Sequence, residues 1–253
     1  MRPRQPHEAA DLSTDPDDAL WRCHHGVMAI SMLDRALYSY ADVDRLVGLH
    51  AGTSRRWLEG YSRAGKFYDP VLREQPIGDD VVTWGEMVEA RLLAEFRRQD
   101  VSVQRLRPAV EQLRGEFGRY PLALARPFLE VEGRELVRVV QDRVGLDRSL
   151  QLVVVRNGQS MATEATERFQ HAVEYEDGAV GRFRPDPRTP FVVMDPARTF
   201  GQPAVRNVRT DALAEEYSAG AGREELADLY DLTAQQVDEA IRFELIAGRD
   251  RAA

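Results

Sequence analysis

Residues 38–60 read YSYADVDRLVGLHAGTSRRWLEG, and the first half of the chain turns on how this stretch folds. Ser39 and Asp42 have the spacing of a capping box, in which the serine accepts from the third helical amide and the aspartate reaches back to the cap amide. Val43, Leu46 and Val47 then share one helical face, and Gly48 follows where a tight turn can use positive φ. After Leu49, a second short segment carries Thr53, Ser54, Arg55, Arg56 and Trp57 and ends at Gly60. Two short helices joined by a glycine-containing turn form a helix-turn-helix pattern. The second helix is expected to turn Thr53, Ser54, Arg55 and Arg56 to solvent while Trp57 anchors the core.

Outward from this unit, YSRAGKFYDPVLREQPIGDDVV suits a small β-ribbon or wing. Thr83 and Glu86 form a second capping box, opening a helix with Trp84, Met87, Val88, Leu92 and Phe96 on one face. Ser102 starts a further helical stretch that ends at Gly118, with Pro108 giving either a kink or a short helix before a longer one. In the middle of the chain Glu132-Gly133, Asn157-Gly158 and Asp177-Gly178 each separate β-prone runs, and Phe191–Met194 is another strand, so a small antiparallel sheet is expected. Farther on, Thr210–Tyr217 reads as a helix, broken by Ala219-Gly-Ala-Gly222. Leu226, Ala227, Tyr230, Leu232, Val237, Ala240 and Ile241 then fit a second helix-turn-helix frame, with Thr233 as cap and Asp231 at the turn.

The expected fold class is α+β and mainly helical. A poorly ordered leader (1–37) precedes a winged helix-turn-helix with following helices (38–127). Antiparallel β hairpins (128–194) and a C-terminal three-helix, helix-turn-helix-like unit (195–253) complete it. Met28 and Met32 stand just ahead of the first patterned segment, consistent with a start codon placed too far upstream.

Composition bounds the function. The chain has 253 residues, 43% of them apolar, enough for a packed core. No apolar run approaches the ~18 residues of a membrane helix, and MRPRQPHEAADLSTDPDD lacks the apolar region of a signal peptide, so a cytoplasmic protein without membrane contact is expected. One cysteine excludes an intrachain disulfide framework. Cys23, His24 and His25, with His7 nearby, lack a second ligand pair at a usable spacing, so neither metal nor cofactor is expected. Nucleophile elbow, phosphate loop, dinucleotide fingerprint and zinc-protease motifs are all missing, which leaves enzyme the weakest class.

The net charge of −8 argues against diffuse nucleic-acid binding but hides local patches. Between Ala51 and Lys66, Arg55, Arg56, Arg63 and Lys66 face only Glu59, and from Arg91 to Arg119 seven arginines face four acids. From Val205 onward six arginines face eleven acids. Two readings of residues 38–60 follow. Either the second helix enters a major groove, with Arg55 or Arg56 on guanine edges and His50, Thr53, Ser54, Arg63 and Lys66 on phosphates or bases, or the unit is a packing motif with solvated arginines. The C-terminal frame shows Gln235, Gln236, Asp238 and Glu239, and carboxylates repel phosphate. A protein-binding, dimer-forming or simply core-forming role fits it better.

Tyr40, Leu46, Gly48, Leu49, Arg55 and Trp57, followed by a wing, resemble the opening of a MerR-type winged helix-turn-helix domain. VMDPARTFGQPAVRNVRT, continued by REELADLYDLTAQQVDEAIRFEL, resembles a small helical domain of short bacterial and archaeal antitoxins. The matching positions are Asp195, Pro196, Gly201, Pro203, Glu225, Ala227, Tyr230, Leu232, Thr233 and Val237. In this order the two halves, over residues 38–246, resemble a VapB-type antitoxin of actinobacteria. The resemblance implies a chain that binds a PIN-type ribonuclease toxin, blocks its metal-dependent acidic site and represses its own operon as a homodimer or larger hetero-oligomer. Tyr230, Gln235, Gln236, Arg242 and Arg249 are then the candidate partner contacts, although solvated terminal charge is the simpler account of Arg249 and Arg251. Asp44, where such a helix-turn-helix usually has a small residue, and Asp231, in place of a turn glycine, depart from the pattern. The alternative is a stand-alone MerR-like regulator whose β-rich middle senses a ligand; a plain scaffold would bind no DNA. Deletion of residues 195–253 is expected to remove partner binding and spare DNA binding.

Overall fold

The computed structural model describes residues 32–98 and 102–249. Cys23, His24, His25 and His7, and the leader up to Ser31, lie outside the described residues. The leader's expected end at residue 37 is corrected: strand β1 covers Ala36–Tyr38, and Leu33 and Tyr38 are buried. Helices α1 (Tyr40–Val47) and α2 (Thr53–Glu59) follow, then the hairpin β2 (Tyr61–Arg63) and β3 (Lys66–Tyr68). Strand β4 (Val82–Thr83) returns to pair antiparallel with β1. Both expected capping boxes are present, at Ser39/Asp42 on α1 and at Thr83/Glu86 on α3 (Trp84–Arg97).

Helix α3 is the axis of the molecule. Every residue from Trp84 to Phe96 is buried, so the apolar face anticipated from its periodicity is only part of its contact surface. The Trp84 indole donates to the Val180 carbonyl at 2.8 Å and stacks on Phe183, fixing α3 against the later hairpins. A 3-10 turn at Val103–Leu106 then leads into α4 (Arg107–Phe117), so Pro108 sits in a first helical turn, where its missing N–H costs nothing.

The middle block is more helical than expected. Short α5 (Arg126–Leu129) and longer α6 (Val131–Arg143) occupy the place of the hairpin read at Glu132-Gly133. The buried residues Gly133, Val137, Val140 and Gln141 recur with helical spacing, and that period overrides the turn dipeptide. Gly133 is needed for a close approach instead: a Cβ there would lie 1.9 Å from the Arg126 carbonyl oxygen. The other two dipeptides do form hairpins. Asn157 and Gly158 (φ 51° and 75°) join β5 (Val153–Arg156) to β6 (Gln159–Ala162). Asp177 and Gly178 (φ 49° and 80°) join β7 (Val173–Glu176) to β8 (Ala179–Phe183). Helix α7 (Glu164–Ala172) separates the hairpins, so they are two ribbons and not the single sheet expected.

Met194 exchanges two backbone bonds with Phe183 of β8, at 3.0 and 2.9 Å, but the adjoining strand Val192–Val193 (β9) lies outside both ribbons. It pairs with β10 (Ala204–Val205), which pairs with β11 (Val208–Arg209), in an antiparallel ribbon that leads into α8 (Thr210–Ser218), α9 (Arg223–Tyr230) and α10 (Ala234–Arg249). One continuous apolar cluster runs from Leu33 through α3 to Val205, Leu213, Val237, Ile241 and Phe243. The Tyr38 hydroxyl donates to the Gly201 carbonyl at 2.7 Å and Arg35 to that of Pro196 at 2.7 Å, tying the first strand to the last block.

Candidate nucleic-acid interface

Helix α1 ends at Gly48 (φ 72°), and α2 begins after Gly52 (φ 77°), which has no side chain to cap it. Asp44 does that work from the preceding helix. Its buried carboxylate accepts from the Gly52 amide at 2.6 Å and the Ser54 amide at 2.8 Å, satisfying donors that α2 itself leaves open. The departure from a small residue here therefore holds the two helices in register.

The same geometry corrects two candidate contacts. Thr53 and Ser54 are buried, and the Ser54 hydroxyl donates to the Tyr40 carbonyl at 2.9 Å, so neither side chain is turned to solvent. His50, Arg55 and Arg56 are exposed, while Trp57 and Leu58 pack inward. Beyond Gly60 the hairpin β2–β3 is stiffened by stacked Tyr61 and Tyr68 rings 4.9 Å apart, with the Lys66 ammonium 5.2 Å from the Tyr68 centroid. Arg63, Lys66 and Phe67 project from its exposed tip.

Among the described residues, Arg55, Arg56, Arg63 and Lys66 enter none of the ion pairs that occupy most other arginines. Glu59, the one acid in their stretch, is turned away from them. It accepts from buried Arg73 and from the Tyr40 hydroxyl at 2.8 Å. Burial alone would raise the Glu59 pKa, but the Gly78 and Ile77 amides, Tyr40 and Arg73 together hold it below the usual range. Arg73 also grips Glu86 through two bonds of 2.7 and 3.0 Å, locking the segment that follows the β2–β3 hairpin to α2 and α3. The sequence offers no local sign of this, because the partners of Arg73 lie 13 and 14 residues away.

Most of the second basic stretch is engaged within the chain, while exposed Arg97 shares a cavity wall with His50. Arg91 is buried against Glu95; Arg105 pairs with Asp147, Arg119 with Asp34, and Arg114 donates to the Leu72 carbonyl.

In the C-terminal unit Asp231 adopts the left-handed turn conformation (φ 52°, ψ 48°), and Thr233 and Gln236 cap α10 reciprocally at 3.2 and 2.9 Å. Tyr230 donates to Glu216 and Gln236 is spent on the cap, whereas Gln235 and Arg242 are exposed. The Arg249 side chain lies outside the described residues. Helix α10 also reaches the first unit: Arg45 of α1 lies 3.8 Å from Glu244, and Ala247 shares a cavity wall with His50 and Arg55.

Two short helices across a capped turn, followed by a basic ribbon, define a helix-turn-helix protein of the DNA-binding class. In agreement, residues 36–110 match the family described as "Putative DNA-binding HTH domain", and residues 192–243 match "Protein of unknown function (DUF433)". Two proteins of Mycobacterium tuberculosis (strain ATCC 25618 / H37Rv) are similar over most of their length. "Uncharacterized protein Rv2308" is 40% identical over 84% of this chain and 92% of its own, and "Putative antitoxin VapB45" is 30% identical over 82% and 93%. The crystal structure of Rv2018 from the same organism superposes with a TM-score of 0.68 at 26% identity, over 83% of this chain and 99% of that one. The chain belongs to the family of Rv2308 and VapB45. No helix among the described residues is long and apolar enough to cross a membrane.

Proposed function

We propose that this protein is a cytoplasmic antitoxin that binds and neutralises a PIN-type ribonuclease toxin encoded nearby, and represses its own operon through a MerR-like winged helix-turn-helix. The observation that carries the DNA half is the unpaired basic face of α2 and the β2–β3 tip. All five residues are exposed, and in this reading Arg55 and Arg56 take guanine edges while His50, Arg63 and Lys66 take phosphates. Thr53 and Ser54 serve this face indirectly, by seating α2. The partner half is supported by the name of the relative VapB45 and by the surface of the last block. There Gln235 and Arg242 stand exposed on α10, with Leu229 and Leu245 as exposed apolar neighbours in sequence. Arg242 suits an acidic nuclease site by charge. Tyr230 and Gln236 support the surface through their bonds within the unit. A homodimer or larger hetero-oligomer is the assembly that fits an operator of two half-sites.

The test is the double substitution Arg55→Ala/Arg56→Ala. Operator affinity is expected to fall by about 1–3 kcal/mol for each guanine that is no longer read. The log–log salt slope should shrink by about 0.9 for each phosphate that is no longer neutralised. Co-purification with a small PIN-like nuclease should persist. Unchanged DNA affinity would remove α2 as the reading helix. A tagged chain recovered from its own cells without any nuclease would favour the stand-alone regulator.

A further inference from the structure

Away from the helix-turn-helix, the last turns of α3 and α7 and the chain leaving β8 enclose a cavity of about 320 Å3, within the range of small-molecule pockets. Arg91, Arg98, Arg168 and Arg184 line it together with one carboxylate, Glu95. Glu95 is buried and accepts from Arg91, from Arg98 at 3.1 Å and from Arg168 at 2.9 Å. A carboxylate has lone pairs enough for three guanidinium groups but neutralises only one charge. The remaining acids stand outside the cavity lining. Glu164 pairs with Arg168 and Glu174 with Arg184 where solvent screens them; Asp186 is buried and acts on Arg91 and Arg98, but its own charge is matched by Arg188.

Arg91 is 3% exposed, and its Nε–H is buried with no acceptor among the described residues. Buried donors are almost always satisfied, so an open one on a residue that lines the cavity marks an acceptor missing from the chain itself. Ala172, Pro187 and the arginine stems supply an apolar floor beside these donors.

We infer that this cavity binds a small organic oxyanion: a phosphate or carboxylate headgroup on a compact apolar body. The planar guanidinium forks take the headgroup through paired N–H bonds, Arg91 gains the acceptor it lacks, and the body rests on Ala172 and Pro187. This site stands independently of the antitoxin reading.

The test uses the full chain, titrated with phenyl phosphate and with benzoate. Inorganic phosphate and benzyl alcohol serve as controls, with calorimetry and the nitrogen-15 resonance of the Arg91 Nε–H as readouts. One of the two aromatic anions is expected to saturate a single site and shift that resonance, and the stronger of them identifies the headgroup. Arg98→Gln/Arg168→Gln, which keeps the buried Arg91–Glu95 pair, should weaken binding by about tenfold or more with the fold intact by circular dichroism. If that variant does not fold, Arg184→Gln reads the same weakening. Absence of saturable binding at millimolar anion would overturn the site. So would equal binding of benzyl alcohol, of inorganic phosphate, or of either anion to the folded variants.

Discussion

Glu89 sits in the middle of α3, completely buried, with one carboxyl oxygen accepting from the Leu122 amide at 3.0 Å and the other without a partner among the described residues. Burial pushes its pKa from the ordinary 4.5 up to about 8, against the pull of the Leu122 amide and of Arg114 and Arg119. The folded protein therefore holds this carboxyl protonated where the unfolded chain has released the proton. Its contribution to stability is complete below pH 4.5, declines as pH rises and is lost by about pH 8. The greatest slope from one such group is about 1.4 kcal/mol per pH unit. Melting temperatures measured between pH 5 and 8 should fall more steeply for the natural chain than for Glu89→Gln. Parallel curves would mean that Glu89 is ionised in the fold. Asp44 is the opposite case at the same scale: a buried carboxylate whose two oxygens each accept from a backbone amide across a turn.

At the scale of elements, the glycines separate turn chemistry from packing. Gly158 and Gly178 take left-handed φ in two-residue turns, and those hairpins are legible from the dipeptides alone. Gly133 is helical and is present because α5 and α6 touch there. Gly115, in α4, has open space where a Cβ would go. Gly133→Ala is expected to destabilise by about 1–3 kcal/mol through overpacking, and Gly115→Ala to stabilise by about 0.5–1 kcal/mol through helix propensity. Denaturant unfolding of both variants checks the pair; a neutral Gly133→Ala would show that α5 moves away at little cost. The capping boxes at Ser39 and Thr83 and the cap at Thr233 were readable for the same reason as the hairpins, because each closes within four residues.

For the whole molecule, the shared core changes what a truncation does. Removing residues 195–253 strips Val205, Leu213, Val237, Ile241 and Phe243 from the cluster and takes away the carbonyls that receive Tyr38 and Arg35. The truncated chain is accordingly expected to lose its cooperative melt and its DNA binding together, against the clean separation of functions that the sequence suggests. A fragment that melts at the temperature of the full chain would overturn the shared core. Taken by itself, the sequence determined the local decisions: where α1, α3 and α10 start, where two of the three candidate hairpins turn, and which short segment carries the unopposed basic residues. Those follow from hydrogen bonds and dihedral preferences that close within a few neighbours. The tertiary structure alone decided that Thr53 and Ser54 point inward, that Asp44 and Arg73 seat the helix-turn-helix, that Gly133 lies in a helix, and that four arginines line one cavity with Glu95. These outcomes depend on groups brought together from distant parts of the chain, where burial sets the worth of each charge and contact, and spacing along the sequence does not record that encounter.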